Sequence, residues 1–206
     1  MRQAYALLGL CFLIVGLGAY LVVREAATHP AVAMPQEKEA SAVLAPSQPS
    51  MNTLSFTSTA FKEGDSLPSR YSCDGEGISP SFTIEGAPEG TRSFALIGID
   101  PDIPQAAKSA IGADEFVHLV AYDIPPDTRT IEEGDMPGKF GLNSSNKTAY
   151  APVCPPPQFE PKQHRYVFTL YALDRRLSFP MPPPLSELLQ AIEGAVLASS
   201  TLTGRY

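Results

Sequence analysis

Residues 54–206 predict a mainly β domain of the sandwich type, closed by one C-terminal helix and preceded, near the start of the chain, by an N-terminal hydrophobic helix. Three observations carry this reading. Short runs that alternate apolar and polar residues, or are apolar throughout, recur along the segment between Gly- and Pro-rich turns, as strands of a sandwich do. The chain holds 21 prolines, which neither continue helices nor sit in central strands, and this argues against a helical bundle. Helical spacing of apolar residues is sustained only near the end, at Leu185, Leu188, Leu189, Ile192 and Val196.

Tyr5 to Val23 carries no charge, with Arg2 ahead of it and Arg24-Glu25 behind. Such a run is long enough to span a bilayer, which takes about 20 apolar residues, so residues 1–23 read as a signal-anchor. The competing reading is a cleaved signal peptide. Its small-x-small site would be Ala31-Val32-Ala33, several residues past the apolar run. Cys11 follows Leu10 inside the run and does not read as a lipoprotein cysteine. In both readings positive charge at the extreme N-terminus favours export of the remainder. The expected location is the periplasmic side of an inner membrane, or secretion after cleavage. Residues 24–53 are rich in Ala, Pro, Ser, Gln and Glu without periodicity and read as a flexible linker.

Within 54–206, Leu54–Ser58 and Ser81–Glu85 alternate as half-buried strands, and Ser93–Ile99 reads as a fully buried one. Phe116–Ile124 is a further apolar strand stopped by Pro125-Pro126, and Arg165–Leu173 alternates aromatic positions. Between them, 132–163 is a long loop rich in Gly and Pro, a length that in compact domains accompanies function or disorder. The prolines argue for order. The loop also holds two Asn-x-Ser/Thr triplets, at Asn143 and Asn146, a pattern common by chance. Pro184 suits the first turn of the helix, whose apolar face should cover the sheets.

The formal charge is −7, from 15 basic and 22 acidic residues. Three of each lie in the first 53 residues, so the whole excess belongs to the folded segment. An acidic domain with no basic cluster is a poor nucleic-acid binder, because that binding rests on Lys and Arg neutralising phosphate. No Cys/His spacing suits a metal, and no cofactor is expected.

The run Asp100-Pro101-Asp102-Ile103-Pro104 sets two carboxylates between prolines where a buried strand leaves the core. Taken alone, it is either a plain turn or the wall of a site. Of the three histidines, His29 lies in the linker, His118 sits inside the strand after this turn, and His164 opens the strand after Cys154-Pro155-Pro156-Pro157.

These pieces come in the order Tyr71-Ser-Cys-Asp-Gly75, Ile78-Ser-Pro80, Asp100-Pro-Asp-Ile-Pro104, Phe116-Val-His118, Ile124-Pro125, Tyr150, Cys154-Pro-Pro156, His164-Arg-Tyr166 and Tyr171-Ala-Leu173. In that order they resemble the phosphatidylethanolamine-binding protein family, and within it the bacterial, Raf-kinase-inhibitor-like branch. The ending Leu202–Tyr206 is also similar, so the resemblance covers nearly all of 54–206. It implies a sandwich of two antiparallel sheets with a small anion-binding pocket at one end. Asp100, Asp102 and Pro104 would line that pocket, His118 would form its floor, the Cys154 backbone N–H would face the ligand, and His164 and Tyr166 would close it.

The implied ligand is small and anionic or zwitterionic: a phosphate, a carboxylate or a phosphoethanolamine head group. Histidine, tyrosine and backbone donors would meet it in place of Lys or Arg. The aspartates would either accept from a histidine, favouring the imidazolium, or meet a ligand ammonium; both predict tighter binding on the acid side of neutrality. Arg165 should point away from Tyr166, solvated or salt-bridged. Cys73 and Cys154, brought toward the pocket end by the implied fold, are candidates for a disulfide in an exported chain.

Ala149 and Ala151 stand where the pattern has glycine, which restricts backbone approach at the rim. Ile84 and Leu119 stand where it often has tryptophan. No catalytic residue is assigned, since a Cys154–His dyad would lack an oxyanion-stabilising companion, and no enzyme activity is expected. The alternative function is an inhibitor or scaffold acting on a protein partner.

Overall fold

The computed structural model describes residues 53–206. The hydrophobic run Tyr5–Val23 and nearly all of the linker lie outside the described residues, and no described helix is long and apolar enough to cross a membrane.

Two antiparallel sheets form the domain. The smaller has the order β1-β2-β5, with β1 Ser55–Thr57, β2 Phe82–Glu85 and β5 Thr130–Ile131. The larger has the order β6-β4-β3-β7-β8, with β3 Ser93–Asp100, β4 Phe116–Ile124, β6 Lys139–Phe140, β7 Arg165–Leu173 and β8 Val196–Arg205. Phe94 and Leu96 of β3, Leu119 and Ala121 of β4, and Phe168 and Leu170 of β7 pack with Phe56, Phe82 and Ile84 of the smaller sheet. Phe82 stacks on Phe56 at 4.9 Å and meets Phe168 of the larger sheet at 5.2 Å. Burying each such ring contributes about 2–3 kcal/mol. Ile84 and Leu119 are themselves fully buried here, so both act as core residues.

The other face of β3 and β4, through Ala95, Ile97, Val120 and Tyr122, is covered by Leu188 and Ile192 of helix α2 (Leu185–Ile192). Having a core on both faces is why β3 is apolar almost throughout rather than alternating.

Several elements depart from the sequence expectation, the two helices among them. The helix stops at Ile192 and does not reach Val196. Gly194 adopts φ +71°, and the chain reverses into β8, which pairs with all of β7 from Leu173↔Val196 to Arg165↔Arg205. Val196 has the right spacing for the helix but opens this strand. Pro184 sits at the N-cap of α2, one position before the first turn. The second departure is a short helix, α1 Gln105–Ile111, which buries no side chain and so leaves no apolar period to read.

Register creates one functional end. β3 runs antiparallel to both β4 and β7, so its last residues lie beside the first residues of each: Asp100 faces Phe116, and Ile99 faces Val117 and Val167. The long loop packs against the same end. Ser144 N donates to Val117 O, and Val117 N donates to the Ser144 hydroxyl. Asn143, buried, holds the loop's shape: its amide donates to Ala149 O, and its oxygen accepts from the N–H of Ser145 and of Lys147. In this fold Asn143 is therefore a loop brace.

Candidate functional site

At this end lies a cavity of about 210 Å³. Asp100 closes β3 and is 3% exposed. One carboxylate oxygen accepts from Asp102 N at 2.8 Å, fastening the Asp-Pro-Asp turn, and the other accepts from His164 Nδ1 at 2.6 Å. His164 is fully buried, and its backbone exchanges both hydrogen bonds with the C-terminal Tyr206.

His118 comes to the cavity through a slip in register. Gly98 pairs with Leu119 and Ile99 with Val117, so His118 is the skipped residue. Strict alternation would put it on the α2 face with Val120 and Tyr122. The bulge turns it toward Tyr166, ring to ring at 5.2 Å, and re-aiming a side chain beside a site is a common use of bulges. Its Nδ1 donates to Ala151 O at 2.8 Å, while Ala151 N donates to His118 O at 2.8 Å. Ala151 thus clamps the histidine with both backbone groups. Neither Ala149 nor Ala151 has positive φ, so the absent glycines impose no backbone strain at the rim.

Phe116, Ile103, Pro104, Ala107 and Pro156 give the cavity apolar walls, with Pro104 at the N-cap of α1. Cys154 completes the rim and is joined to Cys73, Cα to Cα 5.5 Å, across 81 residues of sequence. The partner loop is pinned further by Cys73 N donating to Val153 O and Val153 N to Tyr71 O.

Two expected lining residues stand elsewhere. Asp102 does not line the cavity; both its oxygens go to Arg165, with contacts of 2.6 and 2.8 Å to the guanidinium and 2.9 Å to the backbone N–H. Those bonds hold its carboxyl below the usual range. Asp102, expected to line the pocket beside Asp100, therefore has its charge matched by Arg165 outside it. Arg165 does point away from Tyr166, into this ion pair. Tyr166 sits behind the two imidazoles, 1% exposed, and its ring stacks toward His164 at 6.5 Å. Cys154, whose N–H is expected to face a ligand, lies in the cavity lining. Burial pushes the Tyr166 hydroxyl well above its ordinary pKa, so it stays protonated. Ile103, Phe116 and Pro156, which the sequence offers only as members of the family pattern, and Ala107 also line the cavity; their residue types read equally as core or turn.

The electrostatics are specific. Burial depresses the His118 pKa, opposed by the Ala151 carbonyl and by Asp100 and reinforced by His164. Among the described residues three buried side-chain polar atoms have no hydrogen-bond partner: His118 Nε2, His164 Nε2 and Tyr166 Oη. Orphaned polar atoms are rare in folded chains, and here all three belong to one cluster of rings. Among the described residues no group of His, Cys, Asp and Glu is arranged to hold a metal.

Residues 57–206 match the phosphatidylethanolamine-binding protein family. The chain belongs to the phosphatidylethanolamine-binding protein family. Its relatives include a UPF0098 protein of Chlamydia trachomatis, 34% identical over 154 residues, covering 74% of this chain and 98% of the relative. Another, from Aquifex aeolicus, is 39% identical over 158 residues, covering 72% of this chain and 85% of the relative. Among solved structures, the phosphatidylethanolamine-binding protein homologue CT736 of Chlamydia trachomatis aligns with a TM-score of 0.69 at 35% identity, over 75% of this chain and 97% of that one. Escherichia coli YbcL, described as a new member of the mammalian phosphatidylethanolamine-binding protein family, shares the fold with a TM-score of 0.65 at 24% identity, over 74% of this chain and 97% of that one. The bacterial branch of the phosphatidylethanolamine-binding proteins fits this chain.

Proposed function

We propose that the domain is a binding module that holds one small anionic or zwitterionic group, of the phosphate, carboxylate or phosphoethanolamine type, in the cavity between His118 and His164. The observation that carries this is the pair of buried imidazoles whose outer nitrogens have no partner among the described residues although their inner nitrogens are both fixed, by Ala151 and Asp100. Leaving such groups empty costs about 1–3 kcal/mol each, which a ligand would recover. The size favours a head group over a whole lipid, since pockets for drug-sized molecules begin near 300 Å³. Asp100 acts on the protein side, as the acceptor that orients His164. Binding is the role we assign to the set, since the sulfur that lines the cavity, Cys154, is held in its disulfide and offers no thiol nucleophile.

The test is calorimetric titration of the full chain with phosphate and with phosphoethanolamine, repeated on His164→Ala. Saturable heat in the parent chain and its loss in a folded variant is the expected result; no heat from either compound at millimolar concentration would overturn the reading.

We also propose that the domain works outside the cytoplasm, tethered by the Tyr5–Val23 run. The Cys73–Cys154 bond supports this, because such links persist in oxidising compartments. Protease protection of the domain in intact cells, and its loss when the outer envelope is opened, would be expected; protection that persists until the inner membrane is lysed would contradict it.

A further inference from the structure

The tautomer of His118 has a consequence for what the pocket accepts. A carbonyl oxygen can only accept, so the Nδ1 facing Ala151 O at 2.8 Å must carry the proton. In neutral His118 the other nitrogen, Nε2, is then a lone pair. It is the polar atom this side chain has left to offer the cavity it lines, and among the described residues no group donates to it. The groups around the ring do not reverse this. Asp100 on β3 and His164 ahead of β7 are engaged with each other, Tyr166 presents its ring edge-on, and Phe116 covers a side at 4.8 Å. Among the described residues no Lys or Arg lines the cavity.

Resting on the binding function proposed above, we infer that the pocket selects ligands by whether they bring their own hydrogen-bond donor to His118 Nε2. An ammonium or a protonated phosphate oxygen meets the lone pair directly. A small anion with no proton, such as sulfate, faces it lone pair to lone pair, and binds only when solvent supplies one proton to Nε2. The site therefore discriminates phosphate from sulfate, two tetrahedral anions of nearly equal size. Sulfate binding is coupled to proton uptake, whereas binding of the protonated ligand is not. Because burial opposes the charged ring, that uptake becomes accessible only on the acid side of neutrality.

The experiment is calorimetry on the full chain with inorganic phosphate, phosphoethanolamine and sodium sulfate, at about pH 8 and about pH 5.5, each in two buffers of different ionisation enthalpy. At the higher pH, phosphate and phosphoethanolamine should bind at least about tenfold more tightly than sulfate, the effect of one mismatched buried acceptor. At the lower pH sulfate should gain affinity, with about one proton taken up per sulfate bound. His118→Gln, whose amide offers donor and acceptor alike, should narrow the phosphate-to-sulfate ratio at the higher pH; should that variant not fold, the parent chain's ratio and proton count decide. Equal affinity for sulfate and phosphate at about pH 8, with no proton uptake, would overturn this inference while leaving the binding function standing. Failure of all three compounds to bind would remove that function itself.

Discussion

Asp100 and Asp102 stand two residues apart in one turn and have opposite fates. Asp100 is buried and spends both oxygens inward, on His164 and on the turn. Asp102 is partly exposed and spends both outward, on Arg165. The flanking prolines and the alternation of the incoming strand decide this. β3 ends with Asp100 buried, and the turn then carries Asp102 to the start of β7, where Arg165 is exposed. The lesson is that carboxylate spacing alone does not make a paired-carboxylate site; one is structural machinery for a histidine and the other a surface clamp.

The comparison can be broken in several ways. Removing the Cys73–Cys154 link, with serine at both positions, should cost most, about 4 kcal/mol for a closed loop of this length. Chemical denaturation reads it, and a loss below about 1 kcal/mol would mean the Val153–Tyr71 bonds hold the rim alone. Asp100→Ala leaves the buried His164 N–H unpaired and should cost about 3 kcal/mol, with weakened phosphate binding; a variant as stable as the parent would show the inner corner to be no different from the outer one.

His118 gives the next effect. Its pKa in the folded chain lies below the unfolded value of about 6.5, so the unfolded chain takes the proton first. Stability should be complete above about pH 6.5 and fall as pH drops through that value toward the folded pKa, with a slope of at most about 1.4 kcal/mol per pH unit. His118→Gln should flatten that limb in the stability–pH profile, and an unchanged limb would assign it to another group. Asp102→Asn should matter least. It should leave phosphate affinity within about threefold of the parent. Because the Asp102 carboxyl is depressed in the folded state, any stability it lends is present above about pH 4 and lost below it, so the variant should differ from the parent only when the chain is compared above that range.

Much of the fold was legible because the long strands advertise themselves. β4 and β7 fall on the residues expected, and β3 extends one residue further, since apolar runs and aromatic alternation reflect two buried faces. β8 was hidden because its Ser- and Thr-rich stretch is mostly exposed and because Val196 continues the spacing of α2. The site was legible in part. His118, His164, Asp100, Pro104 and Cys154 meet at one cavity. No periodicity could place His118 there, because a bulge overrides the alternation that would have sent it to the opposite face. Asp102 was misplaced because a turn's side-chain directions depend on what lies across the sheet, here Arg165 on a strand 63 residues away.

The central claim is that the free nitrogens of two fixed imidazoles receive the ligand. Imidazole ¹⁵N shifts during a phosphate titration of the full chain test it most directly. The account predicts that Nε2 of His118 and of His164 move together and saturably, that their Nδ1 signals move little because Ala151 and Asp100 hold them, and that His29, outside the described residues, stays fixed. Saturable phosphate binding with both Nε2 signals unmoved would contradict it.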